Sequence, residues 1–153
     1  MPFTTIVFLQ RKPDLTPEDF KDYYENHHMP LAQDLAGASF PTLHKRYYLV
    51  RSPDDSTSTD TAASTSTSAS TDASTKTKPK NYIPHVLAGQ PDDFPWDVCV
   101  EMTFEDMQHL ADFRARLDAQ AERVAEDERR FMDRKRVFVA EVEGPFVSAR
   151  AAL

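Results

Sequence analysis

Cysteine and glycine are nearly missing from this chain. A single cysteine, Cys99, rules out an intramolecular disulfide and the multi-cysteine zinc sites, and it fits a reducing interior. Three glycines leave no glycine-rich loop of the kind that cradles phosphate. Dense Lys/Arg clusters are also absent and the net charge is −7, which argues against nucleic acid and anionic membrane surfaces as partners. No apolar run is long enough to span a bilayer, and the start, MPFTTIVFLQRKP, lacks the basic segment and cleavage site of a secretory signal. A cytoplasmic protein is expected. No His or carboxylate spacing reads as a metal site.

There is enough apolar material for a real core: 40% of the residues are hydrophobic and 10% aromatic. One stretch stands outside it. More than half of residues 52–80, SPDDSTSTDTAASTSTSASTDASTKTKPK, are Ser or Thr, and none is aromatic or a large aliphatic. It cannot bury enough apolar surface to offset its ordering entropy, so a disordered loop inserted into a single domain, 1–153, is expected. Loop closure entropy grows only logarithmically with length, which makes such an insertion tolerable.

The remaining chain alternates between two periods. TTIVFLQR (4–11) reads as a central strand that stops at Lys12-Pro13. Thr16-Pro17-Glu18-Asp19 is a helix start, with a Thr cap, Pro at the first helical position and acids in the first turn. Phe20, Tyr24, His27, Leu31 and Leu35 then mark one helical stripe that Gly37 ends. Strands are expected at 44–51 (HKRYYLVR), 96–104 (WDVCVEMTF) and 136–143 (RVFVAEVE). Between the last two, Glu105 to Lys135 reads as helical, with a bend near 118–123 because one unbroken helix of that length is unusual in a small domain. The order β-α-β-β-α-β predicts an α+β, ferredoxin-like fold: a four-stranded antiparallel sheet with its helices on one face. Its bare face carries Tyr47 or Tyr48, valines and Cys99, so a homodimer closing two sheets into a dimeric α/β barrel around a cavity is expected.

Three pieces carry a family resemblance: RKPDLTPEDFKDYYENHHMPLA (11–32), WDVCVEMTFED (96–106) and AEDERRFMD (125–133). In order and spacing they resemble the EthD domain family, whose members form dimeric α/β barrels. The resemblance extends to small fungal polyketide-pathway members similar to cofactor-free decarboxylases or dehydratases. It implies a cofactor-independent lyase acting on a small hydrophobic aromatic polyketide. Two rival readings accompany it. One is a non-catalytic protein that shields a hydrophobic intermediate for an oxygenase system. The other is a haem-binding barrel, for which no haem motif is present.

Residue pattern and resemblance together give the candidate site residues. His28 holds the histidine of the family's H-x-P-L motif and is the expected general acid/base. A regular helical wheel ranks the pair the other way: His27 lies about 20° from Phe20 and His28 about 80°. Pro30 makes the disagreement possible, since it removes the hydrogen bond to the Asn26 carbonyl and disturbs the helix just there. His27 is therefore assigned to packing or substrate contact. Asp97 and Glu101 match family acids and share a strand face; about 13 Å apart, they are too distant to share a proton, and either is expected to orient a histidine. Tyr47, Tyr48 and Trp96 are candidate substrate contacts. Asp127 and Glu128 also match a family piece and are expected to cap or salt-bridge the second helical region.

Overall fold

The first strand shows how the pattern becomes structure. In the computed structural model, which describes residues 1–54 and 81–153, β1 (Phe3–Arg11) sits in the interior of the sheet. Its odd-numbered side chains Val7 and Leu9 are buried on one face, while Ile6 and Phe8 lie on the other. Thr16 then caps α1 (Pro17–Tyr23), accepting a hydrogen bond from the Asp19 amide at 3.0 Å. The helix passes through a π turn, Tyr24–His28, into α2 (Met29–Ala36). Gly37 ends α2 with φ 54°, a left-handed conformation that glycine takes without a Cβ penalty.

Next come β2 (Leu43–Tyr48), a short pair of β3 (Arg51–Pro53) and β4 (Tyr82–Pro84), and β5 (Val98–Phe104). Helices α3 (Met107–Asp118) and α4 (Ala121–Glu128) lead to β6 (Met132–Val142). The main sheet has the order β2-β5-β1-β6, antiparallel throughout. This is the expected ferredoxin-like plan. The core lies between one sheet face and the helices: Val7, Leu9, Val98 and Val100 pack against Phe20, Tyr24, Met29 and Phe131. No helix among the described residues is long and apolar enough to cross a membrane.

Several boundaries differ from expectation. The second helical region does break near residue 119, but it ends at Glu128 and β6 begins at Met132, four residues before the expected Arg136. Asp133, Arg134 and Lys135 look helical by composition, yet they lie on an edge strand, where charged side chains reach solvent. The strand expected at 44–51 stops at Tyr48, and Arg51–Pro53 pairs instead with Tyr82–Pro84. Ser52 and Pro53 are thus strand residues rather than loop. The rest of the expected Ser/Thr-rich loop, residues 55–80, lies outside the described residues.

Candidate functional site

A cavity of about 270 Å³ opens between the sheet and the helices. Val7, Leu9, Val100, Met102, Val137 and Val139 form its sheet side, and Leu31, Leu35, Phe113 and Leu117 line it from the helices. Polar groups are few: His28, His44, Asp127, Glu128 and the Tyr24 ring. An apolar chamber with a few convergent polar groups is the usual form of a small-molecule site. It belongs to the helix-covered face of one chain.

The π turn places His28 in this chamber. The Met29 amide bonds to the Tyr24 carbonyl, five residues back, immediately before Pro30. Because a π turn holds one more residue than an α turn, it rotates the succeeding side chains around the helix axis. The regular wheel therefore fails at this point: His27 is exposed and stacks on Tyr23, while His28 faces inward. Tyr24 and Phe131 hold the His28 ring, with centroids at 5.0 and 4.8 Å.

His28 Nδ1 lies 2.7 Å from Oδ2 of Asp127, in the last turn of α4. The other oxygen, Oδ1, accepts a hydrogen bond from the Tyr23 hydroxyl at 2.8 Å. Burial alone would raise the Asp127 carboxyl. The hydrogen bonds from His28 and Tyr23, with the charges of His28 and Arg130, outweigh it and hold the group below its ordinary value. The Tyr23 hydroxyl is pushed up to about 12 by burial and by Asp127. Asp127 is thus an anion, so the neutral imidazole carries its proton on Nδ1 and turns the Nε2 lone pair away from the carboxylate. An acid in the last turn of a helix opposes the macrodipole. Here its two hydrogen-bond partners compensate.

His44, on β2, is the second imidazole of the cavity. Its Nδ1 is 3.1 Å from Nη1 of Arg46. Arg46 is held in turn by a bidentate pair with Glu25, Nε–Oε1 2.6 Å and Nη2–Oε2 2.8 Å, and Tyr48 donates to Glu25 Oε1 at 2.6 Å. Arg46 pulls the Glu25 carboxyl below its ordinary value against the opposing effect of burial. Burial, with the charges of Arg46 and His28, pushes His44 down to about 4.

The other expected site residues lie elsewhere. Asp97 is buried beneath two guanidinium groups, with Oδ1 at 3.2 Å from Arg11 Nε and 3.0 Å from Arg51 Nε; Oδ2 accepts the Arg11 amide at 2.8 Å. That arrangement pins the start of β5 to the end of β1. Glu101 pairs with Lys45 at 3.1 Å on the bare face. Neither acid is beside His28; Asp127 is. Tyr47 is 54% exposed on the bare face, and Trp96 packs on Phe8 there at 5.5 Å. Tyr48 faces the helices but packs against Phe20 and Tyr24 outside the cavity wall.

Sequence reasoning underrated Asp127 and missed His44. Two acids in the last turn of a helix were the legible signal for the first. For the second it was the alternation His44, Arg46, Tyr48, which shares one strand face. Among the described residues no group of three or more His, Cys, Asp or Glu stands together as a metal site.

No curated protein matches the chain. Among solved structures, an EthD-like protein from Ralstonia eutropha JMP134 aligns over 92% of this chain and 86% of its own, with a TM-score of 0.45 and 12% identity. The model of the EthD domain matches residues 12–135, which include every residue of the cavity's polar set, and the chain belongs to the EthD domain family.

Proposed function

We propose that the protein is a cofactor-independent lyase that moves protons on a small aromatic polyketide, through decarboxylation or through dehydration with aromatisation. The observation that carries this reading is the His28–Asp127 pair at the wall of an apolar cavity. In a dehydration, Nε2 of His28 takes the proton α to a carbonyl, and the C–H electron pair moves toward the carbonyl to form an enolate. The enolate then expels a β-hydroxyl, which leaves as water with the proton returned from His28. In a decarboxylation, Nε2 of His28 first takes the carboxyl proton of the β-keto acid; C–C cleavage then releases carbon dioxide and leaves an enolate, whose carbon receives that proton back from His28. Both need one positioned proton carrier in a water-poor site and no redox partner. The cavity is smaller than most drug-sized sites, which favours a one- or two-ring substrate.

The test is hydrogen exchange at the α-carbon of 1-tetralone in D₂O, followed by proton NMR. The wild-type protein should exceed the buffer rate, and His28→Ala should remove the excess while still binding the ketone. Binding without exchange, across a panel of one- and two-ring aromatic ketones, would favour the second reading: a carrier that shields a hydrophobic intermediate. The largely apolar lining suits that role too.

The bare sheet face supports a homodimer. Tyr47, Cys99, Phe8 and Phe138 run across it in register, and Phe138 is 60% exposed. Sedimentation velocity should find a dimer that Phe138→Asp weakens; a monomer at micromolar concentration in the wild type would contradict it.

A further inference from the structure

We propose that His44 is a second catalytic group of this cavity, donating its Nε2–H as a neutral imidazole to the substrate carbonyl oxygen as that oxygen becomes an enolate. Arg46 sets the tautomer. A guanidinium has donors only, so the His44 Nδ1 that faces Arg46 Nη1 at 3.1 Å must be the acceptor. In the neutral ring the proton is then on Nε2. That nitrogen has no hydrogen-bond partner among the described residues, and its ring lines the cavity. Phe40 stacks on the ring at 5.7 Å and 17°, which fixes its plane.

Arg46 cannot swing away to release Nδ1. It is bound bidentately by Glu25, and its Nη1 also donates to the His44 carbonyl at 3.1 Å. The groups facing His44 are Arg46 and Glu25, with His28 across the cavity; burial first, and then the charges of Arg46 and His28, keep the ring from taking a second proton. A neutral donor suits an enolate mechanism, because it stabilises the oxyanion without delivering its proton and quenching the intermediate.

His28 and His44 therefore hold opposite tautomers. Asp127 puts the His28 proton on Nδ1 and offers the cavity a lone pair. Arg46 puts the His44 proton on Nε2 and offers it a donor. During the step His28 gains the α-proton, the C–H pair becomes the C=C bond, and the carbonyl π pair moves onto oxygen. His44 keeps its proton throughout. These two groups define a substrate class: a ligand with one enolisable carbonyl, or a phenolic oxygen of the same geometry, on an apolar one- or two-ring body. Arg46 is a positioning residue here, and Glu25 holds it.

This inference rests on the general-base reading of His28, and 1-tetralone exchange separates the two. His44→Phe should lower kcat on the order of 10²-fold with KM changed less, the usual cost of losing one oxyanion donor. His44→Gln keeps an N–H donor and should recover at least tenfold of that loss. If His44→Phe stays within threefold of wild type while His28→Ala loses exchange, the proposal falls and the base survives. Exchange unaffected by either variant removes both. Equal losses in His44→Phe and His44→Gln would assign His44 to packing and overturn the proposal. A measurement on the unaltered protein guards against misfolded variants: long-range ¹H–¹⁵N correlation should show the His44 proton on Nε2 at pH 7, and a proton on Nδ1 overturns the assignment.

Discussion

The two faces of the sheet use the same residue types to different ends. On the helix-covered face each of the two cavity histidines is held by a second group that is itself held. Tyr23 fixes Asp127, which fixes His28; Glu25 fixes Arg46, which fixes His44. On the bare face Glu101 and Lys45 meet as a single pair, with Lys45 37% exposed. Burial makes the difference. An unpaired polar group in an apolar chamber costs far more than one in water, so each of the two rings has its Nδ1 paired, which leaves Nε2 as the nitrogen available to a ligand. Acids show this most clearly. Glu101 and Asp97 have the more suggestive strand spacing, yet Asp127 is the one that reaches a histidine.

The sharpest break of this contrast is Asp127→Asn. An amide N–H facing His28 Nδ1 would move the ring proton to Nε2 and remove the lone pair from the cavity. Exchange of 1-tetralone should fall on the order of 10²–10⁴-fold, by analogy with other histidine bases that lose their carboxylate. An unchanged rate would show that the pair is structural.

Phe20→Ala comes next. Phe20 is 1% exposed and touches Tyr24, Tyr48 and Phe131, so its removal should cost about 3–5 kcal/mol in urea unfolding. Its counterpart on the bare face, Phe138→Ser, should cost the isolated fold far less.

Acid should then expose His44. Its folded value, about 4, lies below the ordinary histidine value of about 6.5, so the unfolded chain binds more protons between the two. Stability from this group is complete above about pH 6.5 and declines as pH falls toward 4. Urea midpoints across that window should drop, and drop less in His44→Gln. Below that range the depressed Asp127 and Glu25 carboxyls add losses of the same sign as they protonate.

The smallest effect belongs to Glu101→Gln, which should change stability by less than about 1 kcal/mol and leave exchange unaltered. A large loss of activity there would return the site to the bare face.

How much of this was legible depends on which period governed each segment. β1 and the Thr16-Pro17 helix start obey local rules, and both stand where expected. Gly37 stops the helix because its backbone needs positive φ, which composition reveals. The break near residue 119 was legible from length alone. The exchanged roles of His27 and His28 were not legible from periodicity, because a wheel assumes constant winding and the π turn breaks that assumption within five residues. The sheet face holding the cavity was hidden too. Alternation says that two faces differ, and it does not say which of them the helices leave incompletely filled.

The π turn also governs the arithmetic of chain length. It is equivalent to a single residue inserted into an α-helix between the Phe20–Tyr24 anchor and the Leu35 anchor. Both ends are docked in the core, so the extra residue has nowhere to go except around the axis. Loss of one position from Tyr24–His28 would relax the turn to α geometry and re-aim whichever side chain then came after Tyr24 at the cavity. Point substitutions can therefore sample the chemistry at position 28, while a one-residue deletion would change the address to which any side chain is delivered.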